Sequence, residues 1–308
     1  MEAVLVTGAA GFIGQYLCAT LHRLGRPCIG LDLRPAPPSF QGQNWIQIDI
    51  CQAENWLKVP KVETVFHLAA RTGVRDSLSH AAAYLRTNIE GTANLLNWCA
   101  HTQTEQIVLA SSSSVYGGSQ GSPLKETAIP RPTSPYAVSK LAAENLLAAY
   151  ALNHALKGVA LRFFTVYGPG QRQDMGLYHF ASNLSQGLPL LLFDPETTSR
   201  DMTYISDIIN GMLKAEVWLK AFQGTGSFAV FNLGSGQSIR LSDLVSELEN
   251  ISGLKASEKR ILPHPPGDVS QTLASNEKAK TYLGYNPTTS FQNGLQEFWN
   301  WFSNQGSR

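Results

Sequence analysis

Paired cysteines are missing from this chain. Its four, Cys18, Cys28, Cys51 and Cys99, are scattered with no Cys-x-x-Cys spacing, and they read as reduced structural thiols of a cytoplasmic protein. Excess charge of either sign is missing too. Lys and Arg number 24 against 23 Asp and Glu, a net charge of +1, which argues against a nucleic-acid surface as the main partner. No apolar run reaches the roughly 18 residues of a membrane span. The first strand is expected by Ala3, leaving no room for a signal peptide. Repeats, low-complexity tracts and a metal-ligand set are likewise not found; Arg34 to Phe40, with three prolines, reads as a loop. What is present is 308 residues, 43% hydrophobic, enough for a substantial core and one large or two coupled domains.

The N-terminus carries the first positive signal. Ala3 to Thr7 is a short apolar run that suits a buried parallel strand. Gly8-Ala9-Ala10-Gly11-Phe12-Ile13-Gly14 follows, then a helical pattern at Ile13, Leu17, Leu21 and Leu24. Glycines at a strand-to-helix turn let the backbone approach a pyrophosphate seated on the helix N-terminus. The spacing is G-x-x-G-x-x-G rather than G-x-G-x-x-G. Asp32 ends the next strand, Cys28 to Leu31, where a carboxylate accepts from a ribose 2′-hydroxyl and repels a 2′-phosphate. NAD is therefore expected over NADP, with Arg34 softening the preference. Ile46 to Asp49 reads as a third strand, placing Asp49 and Ile50 near the adenine. Thr64 to Leu68 is a fourth, running into His67-Leu68-Ala69-Ala70, where small residues after the strand suit close passage of the backbone past a cofactor. His67 reads as a satisfied core histidine. Ala81 to Ala100 is expected as one long helix carrying Asn88, and Gln106 to Ala110 as the fifth strand. This alternation implies a doubly wound parallel α/β sheet with its ligands at the carboxyl ends of the strands.

The chemistry centres on Ser134-Pro135-Tyr136-Ala137-Val138-Ser139-Lys140. Ser134 suits an N-cap and Pro135 the first helical position. The apolar spacing of Val138, Leu141, Leu146 and Tyr150 carries the helix towards His154. Tyr136 and Lys140 share a face. A phenol with a pKa about three units above neutrality is a poor base, but an adjacent ammonium and a cationic cofactor ring favour the phenolate. Such a base removes a proton from an alcohol whose oxidation needs a hydride acceptor. The Ser111 to Ser114 run follows a core strand directly, so one hydroxyl is well placed to share that proton.

Taken together, TGAAGFIG, HLAA, SSSSVYG and SPYAVSK, then Arg162 to Pro169, Arg172-Gln173-Asp174-Met175 and Arg200 to Ile205, resemble the extended short-chain dehydrogenase/reductases, the NAD-dependent epimerase/dehydratase family that modifies nucleotide sugars. RFFTVYGP followed by R-x-D-M is most similar to its UDP-glucuronate 4-epimerase branch. The resemblance implies Tyr136 as base, Lys140 on the nicotinamide ribose and Ser112 orienting the sugar alcohol. It implies transient oxidation at carbon 4 of a UDP-sugar by bound NAD. Ser113, Ser114 and Thr165 would touch the sugar, Arg172 its carboxylate and Arg200 the pyrophosphate. Ser113 and Ser114 stand where related dehydratases carry acids, so dehydration is not expected.

Three segments depart from the family pattern: Arg71 in place of glutamine, the loop Asp194 to Ser199 without a glycine, and His264 to Asp268 with Ala274-Ser275. The expected division is a Rossmann domain over 1–168, to which 205–233 returns, and a smaller mixed α/β lobe over 169–308. In that lobe the acids of the helix Leu241 to Ile251, namely Asp243, Glu247 and Glu249, are expected to face water. Helices at Ala81 to Ala100 and Ala137 to His154 resemble those that pair in family homodimers. Rival readings are a UDP-glucose 4-epimerase, a reductase or decarboxylase of the same family, and a non-catalytic NAD-binding module. The joint presence of Ser112, Tyr136 and Lys140 speaks against the last.

Overall fold

The structure, a computed structural model, describes residues 3–40, 44–118, 121–222, 226–263 and 269–305. The stretch His264 to Asp268 lies outside them. Apolar β1 (Val4–Thr7) feeds the glycine turn, helix α1 (Phe12–Arg23) and β2 (Cys28–Asp32). Then come β3 (Asn44–Gln47), β4 (Thr64–His67), short helices α2 (Val74–Ser79) and α3 (Ala81–Leu85), a π turn at Arg86–Glu90 and α4 (Gly91–Thr102). After these follow β5 (Gln106–Ser112), α5 (Pro135–Asn153), β6 (Lys157–Phe163) and β7 (Thr165–Tyr167). The remainder is α6 (Gly176–Ser185), β8 (Leu190–Phe193), β9 (Ser199–Tyr204), α7 (Ile205–Ala221), β10 (Phe228–Leu233), β11 (Ser238–Arg240), α8 (Leu241–Ser252), β12 (Lys259–Leu262), α9 (Glu277–Leu283) and α10 (Phe291–Gln305).

Seven strands form one parallel sheet in the order β10-β6-β5-β4-β1-β2-β3. The winding reverses between β1 and β4, so the carboxyl ends at Thr7 and His67 border the crevice where such sheets take ligands. Both faces are covered, as an all-parallel sheet requires. Val4, Val6, Val108 and Leu161 pack with α1, α7 and α9, while Leu5, Val65, Ile107 and Leu109 pack with α4 and α5. A third cluster holds α6, α8 and α10 together around Leu184, Leu244, Leu295 and Phe298.

Five local expectations are corrected. Strand β3 begins at Asn44 and ends at Gln47, because pairing with β2 stops at Asp32↔Gln47; Asp49 lies beyond it, capping a turn by accepting from the Cys51 N–H at 2.9 Å. The single helix over 81–100 is interrupted by the π turn, which carries Asn88 inward. Strand β5 runs on to Ser112, pairing Ser111 and Ser112 with Arg162 and Phe163. The hidden face of α5 is Ala137, Ser139, Lys140, Ala143, Glu144, Leu147 and Ala151, whereas Val138 is 43% exposed. Beside Leu147 that helix buries small and charged side chains against the sheet, so Val138 does not mark the core. Glu249 also turns inward: it is buried, accepts from the Ala256 N–H at 3.0 Å and pairs with Lys259 at 3.0 Å.

Candidate active site

The two turns at the reversal are locked together. Gly8 has φ +68°, and a Cβ there would lie 2.7 Å from the Ala69 nitrogen. A Cβ on Gly14 would lie 2.2 Å from the Gly8 carbonyl. Only glycine allows both approaches. Thr7 Oγ1 accepts from the N–H groups of Leu68 and Ala69 at 3.2 and 3.1 Å. With two bonds accepted, its own hydrogen goes to His67 Nδ1 at 2.7 Å. His67 therefore carries its proton on Nε2 and donates to Thr92 Oγ1 at 3.0 Å, and Thr92 donates to the Asn88 carbonyl at 2.7 Å. Burial, with the Lys140 charge adding to it, pushes the imidazole pKa down to about 3. His67 is the satisfied core histidine that was expected.

Asn88 continues the network. Its Oδ1 accepts from the Arg71 N–H at 2.8 Å, and its Nδ2 donates to the Arg71 carbonyl at 3.0 Å and to Ser139 Oγ at 2.8 Å. It thus ties the loop after Ala70 to the helix of Tyr136. Arg71 holds that loop through its backbone, and its side chain is exposed. Asp32 lies under the glycine turn, taking the Ala10 N–H at 3.0 Å on Oδ2 and the Arg34 N–H and Nε on Oδ1. Two carboxylate oxygens hold about four acceptor positions, so capacity for a ribose hydroxyl remains. Phe12 and Ile13 open α1 half-buried, and Ile50 is buried beneath Gly91. The close-packed turns and this carboxylate fit a dinucleotide.

On the opposite wall, Ser134 caps α5 by accepting from the Ala137 N–H at 3.2 Å. Ser112 Oγ accepts from the Ser114 N–H at 3.2 Å and the Ser114 hydroxyl at 2.9 Å. Its remaining hydrogen is left for the Tyr136 phenol, the hydrogen bond that works to lower the tyrosine's pKa. Burial outweighs it, with the Arg172 charge also pulling down, so Tyr136 stands above its ordinary value. Lys140, 5% exposed, donates to the Ala110 carbonyl at 2.8 Å, and burial pulls it down to about 8 against the opposing charge of Glu144.

The sugar-side residues are less committed. Ser113 is half-buried on the turn after β5, and Thr165 is half-buried at the start of β7. Arg172 reaches the site: it bonds Thr72, whose carbonyl accepts from the hydroxyl of Tyr84, the ring that meets Tyr136. It is not an unpaired cation, however: Nε and Nη2 make a bidentate pair with Asp174 at 2.8 and 2.9 Å, and Nη1 donates to Thr72. Arg200 Nη1 donates to the carbonyls of Ser199 and Ser270 at 3.0 and 2.9 Å. Its neighbour Asp201 is buried and accepts from Ser235, Gly236, Thr203 and Ala274. In the loop lacking a glycine, Asp194 itself takes φ +41°, a conformation that aspartate tolerates better than most. Sequence reasoning missed Thr72, Asp174 and Tyr84, whose ring meets Tyr136 edge-on with centroids 6.2 Å apart. Only Asp174 had a signal, lying in the R-x-D-M string. A cleft of about 560 Å³ lies elsewhere, lined by Lys125, Glu126, Phe228, Val230 and Lys278.

Oxidation and reduction of an alcohol at a bound dinucleotide is what such an arrangement supports, and it defines an NAD-dependent enzyme of the short-chain dehydrogenase/reductase class. More narrowly, the chain belongs to the NAD dependent epimerase/dehydratase family, whose model matches residues 4–234. UDP-glucuronate 4-epimerase 4 of Arabidopsis thaliana is 38% identical over 97% of this chain and 75% of its own length. The UDP-glucuronic acid 4-epimerase of Bacillus cereus, solved with UDP-glucuronic acid and NAD, superposes with a TM-score of 0.88 at 35% identity, over 98% of this chain and 99% of that one. MoeE5 with UDP-glucuronic acid and NAD gives a TM-score of 0.89 at 36% identity over 98% and 99%; it has also been solved with UDP-glucose and NAD. The chain is thus an NAD-dependent nucleotide-sugar epimerase. Among the described residues no helix is long and apolar enough to cross a membrane.

Proposed function

We propose that this enzyme interconverts UDP-glucuronate and UDP-galacturonate, and that Ser112, Tyr136 and Lys140 carry the reaction. The observation behind this reading is that Tyr136 and Lys140 open α5 directly after its Ser134 cap, with Lys140 bonded to Ala110 at the end of β5 that carries Ser112; Ser112 and the Arg172 charge both pull the Tyr136 pKa down. One group donates a hydrogen bond to the reacting oxygen and the other brings a cation beside it. Both favour the phenolate. Tyr136 takes the proton from the sugar 4-hydroxyl while Ser112 holds that oxygen, and it returns the proton after the 4-keto sugar has presented its other face. Bound NAD supplies the acceptor and donor for the hydride at carbon 4. Lys140 grips the ribose edge of the cofactor. Gly8, Gly11, Phe12, Ile13 and Gly14 cradle the pyrophosphate, Asp32 takes the adenosine ribose, and Asp49 and Ile50 flank the adenine. Leu68, Ala69 and Ala70 line the path to the nicotinamide, and Asn88 keeps that path in register.

Arg172 is the proposed partner of the sugar carboxylate, with Ser113, Ser114 and Thr165 around the sugar and Arg200 on the UDP pyrophosphate. Because Asp174 already holds Arg172, the substrate carboxylate must share or displace that pair. A neutral hydroxymethyl group leaves the pair as it is. Discrimination therefore rests on an exchange of partners, and UDP-glucose, which MoeE5 has also been solved with, is the runner-up substrate. We place the boundary between the cofactor domain and the sugar lobe near Gly168, with 205–233 returning to the former, and infer a homodimer in the cytoplasm. The test is incubation with a panel of UDP-sugars without added NAD. The expected result is mutual conversion of UDP-glucuronate and UDP-galacturonate with little UDP-pentose, and faster turnover of UDP-glucose at equal low concentration overturns the acid-sugar assignment.

A further inference from the structure

Helix α5 meets the end of β5 three times. Tyr136, Lys140 and Glu144 stand four residues apart and share a face. Ser112 pulls the Tyr136 pKa down, while Lys140 donates to the Ala110 carbonyl at 2.8 Å and Glu144 accepts from the Ser111 hydroxyl at 2.5 Å. The last three residues of β5 are thus each met by one turn of α5. Glu144 is 2% exposed and is fixed by Arg162 of β6, with Nε at 2.9 Å and Nη2 at 2.7 Å. Arg162 in turn lies 4.7 Å over the ring of Tyr116, which closes the short turn that Ser112 caps. A buried ion pair of this kind adds little stability over apolar packing of the same volume. Its geometry, aimed at the strand end that presents Ser112, gives it another use.

We propose that Glu144 is a positioning residue for the epimerisation: anchored by Arg162, it fixes Ser111 and so the Ser112 hydroxyl against Tyr136, and it sets a negative charge one turn from Lys140. The proposal rests on the reading of Ser112 and Tyr136 as the reacting pair. Around Lys140 stand Tyr136 and Glu144 on its own helix and His67 at the end of β4, with Arg162 of β6 beyond Glu144. Of these, only Glu144 raises the lysine's pKa, against the burial that lowers it to about 8. His67 is neutral. Without Glu144 the ammonium loses its proton at a lower pH.

The experiment uses the NAD-loaded enzyme. Glu144→Gln alone leaves Arg162 buried without its partner, so the informative variant joins it to Arg162→Met. A second variant, Ser111→Ala, removes one hydroxyl and keeps the ion pair. The double variant should lose about tenfold or more in kcat on UDP-glucuronate with KM within about twofold. Its alkaline limb, and the Lys140 titration read by ¹³Cε-lysine NMR, should both move about one unit to lower pH. Ser111→Ala should lose a smaller factor in kcat, about threefold, with neither pH readout moved, and Ser111→Thr should restore it. Unchanged kcat in Ser111→Ala, or a double variant whose two pH readouts match the parent, overturns the proposal. If the parent turns over no UDP-sugar, the substrate reading fails, while the lysine titration still decides whether Glu144 acts on Lys140.

Discussion

The two walls of the site are built to different standards. On the cofactor wall, Thr7, His67, Thr92 and Asn88 form a directed chain in which each hydrogen has one acceptor, and glycines bring the two turns into contact. On the sugar wall, the Arg172–Asp174 pair has side chains 40% and 60% exposed, and Arg200 rests on backbone carbonyls. Preorganised groups bind without a further ordering cost. The contrast suits a cofactor that stays and a substrate that comes and goes: one wall has nothing to rearrange, and the other has partners that a ligand can replace.

The largest expected effect separates chemistry from both walls. Tyr136→Phe removes one hydroxyl, so turnover should fall by at least about 100-fold, the scale of a lost acid–base group, while NAD remains bound. Absorbance of the released cofactor and steady-state rates check this, and near-normal turnover removes the tyrosine from the mechanism. Next comes the sugar wall. Arg172→Ala should raise KM for UDP-glucuronate about tenfold, the weight of one charge-assisted bond. It should also slow kcat, because the cation that lowers the Tyr136 pKa is gone. NAD content should not change; loss of NAD in this variant would erase the contrast between the walls.

A different kind of effect belongs to the cofactor wall and to pH. The His67 pKa, about 3 in the folded chain, is about 6.5 when unfolded. Between these values the unfolded state binds the extra proton, so stability falls as pH drops through that window, by up to about 1.4 kcal/mol per unit. Above pH 6.5 the contribution is fully present. Thermal unfolding at pH 7 and pH 5 should show the loss, and a His67→Gln variant should show a shallower slope. Equal slopes would mean that carboxylates alone set the acid sensitivity.

The same contrast explains what could be read from the residues. The glycine turn, Asp32, Ser112, Tyr136 and Lys140 belong to local patterns, each defined by neighbours in sequence. Strand β3 was misplaced because the Asn44 to Gln47 pairing depends on β2, not on its own composition. The π turn at Arg86–Glu90 was invisible because Asn88 is drawn inward by Arg71 and Ser139, 17 and 51 residues away. Val138 misled for another reason: it lies on the outer side of a helix whose inner side is mostly alanine, serine, lysine and glutamate around Leu147. Thr72 and Arg172, 100 residues apart, meet only through the tertiary fold. Glu144 was within reach, as it repeats the four-residue interval that links Tyr136 to Lys140.

The sheet also has a border at β10, where, among the described residues, no further strand pairs with its outward-facing groups. Lys278 Nζ donates to the Val230 carbonyl at 2.8 Å, and Glu126 accepts from the Asn232 N–H at 2.8 Å. Charged side chains thus occupy positions that a foreign strand would use, a known defence against edge-to-edge growth. Copies of this chain that meet along that border find two of its strand-pairing groups already taken.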